Sequence, residues 1–142
     1  MKVVVDTNIV ISGYLWSGAP ARVLEMHTAG LLDICTCEVQ LGELIEVLRR
    51  PKFLPRLQAA GISPEDISAH FRQLKRFMEP AVVGTTPLTD PKDLWVLGCA
   101  QASKAQAIIT GDQHLLILKN HHGIPIYRAA EFVPRFDSFK LH

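Results

Sequence analysis

Carboxylates recur in this 142-residue chain at the points where its character changes. Asp6 follows the apolar run Val3-Val4-Val5, and Asp112 follows Ala107-Ile108-Ile109-Thr110-Gly111. Asp90 and Asp93 flank Pro91-Lys92, while Glu43 and Glu46 lie in a segment with a helical period. Two carboxylates about 4 Å apart repel by roughly 4 kcal/mol at an effective dielectric of about 20, so a cluster of them needs protons or a cation. An all-oxygen donor set suits a hard ion, Mg²⁺ or Mn²⁺, which keeps several waters and bridges to phosphate oxygens. Phosphodiester hydrolysis is the reaction class that follows.

The elements that must position these groups can be read from the same residues. A short β-branched run bounded by polar residues is a strand buried on both faces of a parallel sheet. Asp6 then stands at a carboxyl end, where ligands gather in open α/β sheets. Ala107 to Thr110 ends in the same way, and Asp112 is also placed to cap a helix through Leu115 to Leu118. Further strands are expected over Leu31 to Thr36, Ala81 to Val83 and Ile124 to Tyr127.

Helices are expected from Asn8 to Trp16, with Thr7 or Asn8 as cap, and from Pro20 to just before Gly30. Another runs from Glu38 to the stop at Pro51, with Leu41, Leu44, Ile45 and Leu48 as its apolar stripe. Ser63-Pro64-Glu65-Asp66 has the form of a capping box, opening a helix through Phe71, Leu74 and Phe77 to Met78 with Arg72, Lys75 and Arg76 on a basic side. The apolar run from Leu94 to Ala100 is a buried helix, and Ala129 to Phe132 a short one. Strands alternating with helices imply the α/β class: a parallel sheet covered on both faces, with every strand-to-helix turn opening on one edge.

Spacing leaves several assignments open. Glu43 and Glu46 both fall off the apolar stripe, and either serves equally well as a solvated helix residue. Asp90 as cap and Asp93 in the first turn satisfy backbone donors without any chemistry. Arg49, Arg50, Lys52 and Arg56 surround Phe53, where they could meet phosphates or simply complement a helix dipole.

Nearly half the residues are apolar and the net charge is +1, which describes a folded chain and excludes one that holds nucleic acid by bulk charge. A single domain over residues 1–142 is expected. Cys35, Cys37 and Cys99 have neither zinc-ligand nor disulfide-framework spacing and read as buried thiols. His121-His122-Gly123 reads as a turn, and no other histidine has metal-ligand spacing. No leader-like or membrane-spanning run is visible, so cytoplasm is the expected compartment.

Taken together, Asp6-Thr7-Asn8, Glu43 in Gly42-Glu43-Leu44-Ile45-Glu46-Val47-Leu48, Arg50-Pro51-Lys52-Phe53, Asp90-Pro91-Lys92-Asp93 and Thr110-Gly111-Asp112 resemble the PIN-domain family. Within it they are most similar to the VapC-like toxin ribonucleases of bacterial and archaeal toxin–antitoxin pairs. The resemblance spans nearly the whole chain. It implies a three-layer α/β/α sandwich with a mainly parallel central sheet, whose Asp6, Glu43, Asp93 and Asp112 bind Mg²⁺ or Mn²⁺ and cleave RNA. Glu43 is thereby preferred over Glu46, with Thr7, Asn8, Asp90 and Thr110 in support and Arg49, Arg50, Lys52 and Arg56 offered to RNA. A small antitoxin protein is the implied partner, and a homodimer or larger homo-oligomer is compatible. Many relatives carry a further acidic residue where this chain has Leu94.

Two rivals stand beside this reading. A phosphoaspartyl enzyme of the haloacid-dehalogenase type needs a second aspartate two residues after the first, where this chain has Asn8. A scaffold of the same fold, binding RNA or protein with little or no turnover, is the stronger alternative.

Overall fold

The computed structural model describes residues 1–74, 76–84 and 86–137; Lys75 and the polar tail lie outside them. Five strands form one sheet: β1 (Lys2–Val5), β2 (Asp33–Cys35), β3 (Ala107–Ile109), β4 (Asn120–His121) and β5 (Ile124–Tyr127), in the order β2-β1-β3-β5-β4. All pairings are parallel except the β4–β5 hairpin at one edge. The helices are α1 (Thr7–Leu15), α2 (Ala19–Thr28), α3 (Glu38–Leu48), α4 (Leu54–Ala60), α5 (Pro64–Arg72), α6 (Pro91–Ser103), α7 (Gln113–Leu116) and α8 (Ala129–Phe136), with a 3-10 turn at Pro51–Phe53.

Strand side chains alternate between two cores, as the two-residue period of a pleated sheet requires. Val3, Val5, Ile34, Ala107 and Ile109 pack with α1, α2, α3, α5 and α8 through Val10, Met26, Leu41, Phe71 and Phe132. Val4, Cys35, Ile108 and Ile126 face the other way, against Val96, Leu97, Cys99 and Ala100 of α6 and Leu115 of α7. Fully burying such a side chain contributes about 1.5–3 kcal/mol. The result is the expected α/β/α sandwich, and because β2 and β3 flank β1, the chain reverses its winding between β1 and β3. That crevice, at the strands' carboxyl ends, is where Asp6 emerges.

Several boundaries differ from the sequence expectation, each for a reason visible in the backbone. The α1 cap is Asp6, not Thr7 or Asn8: its carbonyl accepts from Ile9 and Val10 and starts the helix. α5 ends at Arg72 instead of running to Met78, because the chain turns to pair with the end of β2, where Thr36 donates to the Arg76 carbonyl and accepts from Met78. No strand forms over residues 81–83. The Ala81 amide donates to the Gly98 carbonyl of α6, and Val82 is 94% exposed. A Cβ on Gly98 would lie 2.5 Å from the Ala81 carbonyl oxygen, so only glycine admits that approach.

Sequence reasoning missed the 3-10 turn and α4, and took β4 for part of a turn. The turn itself is His122-Gly123, both at positive φ, with His121 paired in β4. α8 is also longer than expected, reaching Phe136. The capping box at Ser63 and Asp66 is present as anticipated, and all three cysteines are buried and free.

Candidate active site

Asp6, Asn8, Glu43, Val47, Arg50, Asp90, Lys92, Asp93 and Asp112 line one cleft of about 210 Å³ at the carboxyl edge of the sheet. Parallel pairing of β1 with β3 brings the first and last of these together: Val5 lies opposite Ile109, and the Asp6 amide donates to the Ile109 carbonyl at 2.9 Å. With its carbonyl starting α1, the Asp6 carboxylate is free of capping duty. It accepts the Thr110 hydroxyl at 2.7 Å and the Thr7 amide. Thr110, 0% exposed, accepts the Asp112 amide in turn at 3.0 Å. One buried hydroxyl therefore ties both strand-end aspartates together.

α6 delivers Asp93. Asp90 caps the helix by accepting the Lys92 amide at 3.0 Å, which turns Asp93 inward to 5% exposure. Asp112 likewise caps α7, accepting the His114 amide at 2.8 Å, while its side chain borders the cleft. α3 separates its two glutamates: Glu43 is half-buried in the cleft, and Glu46 is exposed in a different groove beside Arg49, Ser68 and Arg72.

The electrostatics match a carboxylate cluster that the cleft's cations compensate only in part. Burial, followed by the charge of Asp112 and then that of Asp90, pushes the Asp93 carboxyl up to about 6. Burial also raises Asp6, against the Thr110 and Thr7 hydrogen bonds, and Glu43, against the opposing charge of Lys92. The Lys92 ammonium stands 3.5 Å from Glu43 Oε1. A hard divalent cation fits this donor set, since it would offset the repulsion that burial intensifies. Asp93, Asp112 and His114 offer ligand atoms all within 4.8 Å of one another.

Some expected contributors sit elsewhere. Thr7 supports Asp6 through its backbone, while its side chain is buried toward the core with Val5, Val10 and Leu44. Asn8 borders the cleft and is exposed. Leu94 is half-buried and is not among the cleft side chains. Of the four basic residues Arg49 is drawn away, pairing with Glu65 at 2.6 Å, while Arg50 borders the cleft, Lys52 lies over Phe53 and Arg56 over the adjoining Trp16 ring. Sequence reasoning missed Lys92 and His114. Asp112-Gln113-His114 across a helix start was the available signal for the latter.

Two comparisons bear on this arrangement. No curated protein matches the chain. A PIN domain profile matches residues 2–114, a stretch that includes every carboxylate of the cleft. The chain therefore belongs to the PIN domain family, whose members generally are nucleases.

Proposed function

We propose that this protein is a divalent-cation-dependent endoribonuclease with Asp6, Glu43, Asp93 and Asp112 as its catalytic carboxylates. The observation that carries the reading is their convergence on one cleft from four separate elements. These four would hold Mg²⁺ or Mn²⁺, with His114 near enough to join Asp93 and Asp112. When bound, the cation would lower the pKa of a water and offset charge on the phosphodiester oxygens.

The remaining groups orient and balance. Thr110 and the Thr7 amide orient the Asp6 carboxylate and favour its charged form against burial, and Asp90 fixes the helix start that aims Asp93. Lys92 balances Glu43, and Arg50, which lines the cleft, would meet a phosphate of the strand. With no strong net charge to grip long duplexes, recognition rests on local contacts with single-stranded RNA.

The biological role we propose is the toxin of a toxin–antitoxin pair, a single domain acting in the cytoplasm. A small antitoxin would hold it inactive by covering the acidic cleft. No helix of the described residues is long and apolar enough to cross a membrane. Expressing wild type and Asp6→Asn side by side and sequencing RNA ends tests the role. New discrete ends and growth arrest with wild type alone support it; identical profiles at equal soluble expression favour a binding scaffold.

A further inference from the structure

Outside the cleft, large apolar side chains stay exposed beside cations that have no acidic partner. Trp16, at the end of α1, is 42% exposed, and Leu54 is 53% exposed. The Trp16 and Phe53 rings meet edge to face, with centroids 6.2 Å apart. The Arg56 guanidinium lies 4.4 Å over the Trp16 ring and donates to the Leu15 carbonyl, so it is held in place from two sides. The Lys52 ammonium stands 5.0 Å from the Phe53 centroid. Arg50, Lys52 and Arg56 make no ion pair among the described residues, whereas Arg49, their neighbour in sequence, is neutralised by Glu65.

This strip continues from the cleft. Arg50 borders the carboxylates, and its carbonyl accepts the Phe53 amide at 3.0 Å, so a single 3-10 turn separates the cleft rim from the first ring. Rings with cations over them that lack an acidic partner have the chemistry that binds single-stranded nucleic acid, in which bases stack on aromatic faces or on guanidinium planes and phosphates meet Lys or Arg. An apolar protein partner would bury Trp16 and Leu54 as well, but would leave three cations without counter-charge at its edge.

We propose that Trp16 and Phe53, with Arg50, Lys52 and Arg56, form a base-stacking track that holds the nucleotides of an RNA strand beside the cleft. The track rests on the ribonuclease reading for its substrate. Its binding can be measured without cleavage, so the two can fail separately.

The test uses the full chain carrying Asp6→Asn to prevent cleavage and Trp95→Phe so that Trp16 alone fluoresces. It is titrated with a short single-stranded RNA oligomer and with an abasic oligomer of equal length and charge. The track predicts that the base-bearing strand quenches Trp16 and binds more tightly, and that Trp16→Leu loses roughly 5- to 100-fold in affinity. Trp16→Tyr should recover much of that loss. Phe53→Leu supplies a second variant should Trp16→Leu prove unstable, and it too should weaken binding of the base-bearing strand. Equal affinity for both oligomers, or unchanged affinity in folded Trp16→Leu and Phe53→Leu, overturns the track and leaves these rings to a protein partner. Cleavage by wild type alongside that result would leave the ribonuclease reading intact, and base-dependent quenching without cleavage by wild type would support the track alone.

Discussion

The Thr110 hydroxyl donates to Asp6 Oδ2 at 2.7 Å, joining residues 104 positions apart at the ends of β3 and β1. The Thr110 Oγ1 accepts the Asp112 amide as well, so a single side chain sets the relation between the two strand-end aspartates.

Thr110→Val removes this link while keeping the shape. The Asp112 amide loses its partner inside the structure, a change that costs about 1–3 kcal/mol of stability. With Asp6 no longer oriented, Mn²⁺ affinity should fall about 10- to 100-fold, as on loss of other groups that orient metal ligands. Thr110→Ser should retain most of both. Urea titration and calorimetry check the pair; a serine variant as weak as the valine one would show that the methyl group matters more than the hydroxyl.

Protonation of the cluster gives a pH signature. A carboxyl raised to about 6 in the folded chain binds its proton more tightly there than in the unfolded chain, where the ordinary value is 3.8. Between those values the folded state holds the extra proton, so the contribution of Asp93 to stability falls as pH rises through the window. Glu38, Glu65 and Asp137, held low by Arg72, Arg49 and Arg22, act in the opposite direction but only below the ordinary carboxylate range. Burial lowers His70 and His121, which oppose Asp93 within the same window, while Asp6 and Glu43 are raised and act with it. The signature is therefore a difference between variants. Removing Asp93 by Asp93→Asn should raise the cation-free melting temperature at about pH 7.5 relative to that at about pH 5, compared with wild type. Mn²⁺ should raise the melting temperature at the higher pH far more than at the lower. An equal slope in Asp93→Asn would place the titrating group elsewhere.

Glu43 and Glu46 separate on one helix. Glu43→Gln should reduce cleavage to background, because the residue borders the cleft, and Glu46→Gln should leave cleavage nearly unchanged, because the residue faces another groove. Steady-state rates on a single-stranded RNA decide it. Equal losses would remove the special role of Glu43.

Leu94→Asp should not tighten Mn²⁺ binding. Leu94 is half-buried one residue past Asp93, a step of about 100° around the helix, and lies outside the cleft lining. Calorimetry beside the wild type measures this. A clear gain in affinity would mean that the side chain can reach the carboxylates.

What the chain declares locally, its residues declare well. Val3-Val4-Val5 and Ala107-Ile108-Ile109 are apolar on both faces because both faces are covered, and the stripe through Leu41, Leu44 and Leu48 specifies which side of α3 is buried. The caps at Ser63, Asp90 and Asp112 depend on residues two or three positions away, so they too can be read directly. Features that depend on distant partners are hidden. Phe77 leaves a plausible helical pattern because β2 offers it an edge, and residues 81–83 find no strand to pair with because α6 takes up the Ala81 amide. At the site, carboxylate positions follow from strand ends and helix starts. The Lys92–Glu43 pair, the capture of Arg49 by Glu65 and the seating of Lys52 and Arg56 over Phe53 and Trp16 follow only from how the elements pack.

The most direct measurement incubates purified wild type, Asp6→Asn and Asp112→Asn with one end-labelled single-stranded RNA in Mn²⁺, and wild type again in chelator. The account predicts discrete products with 5′-phosphate ends from wild type in Mn²⁺, and none in chelator or from either variant. Products of equal yield from the variants, or from wild type in chelator, would contradict it.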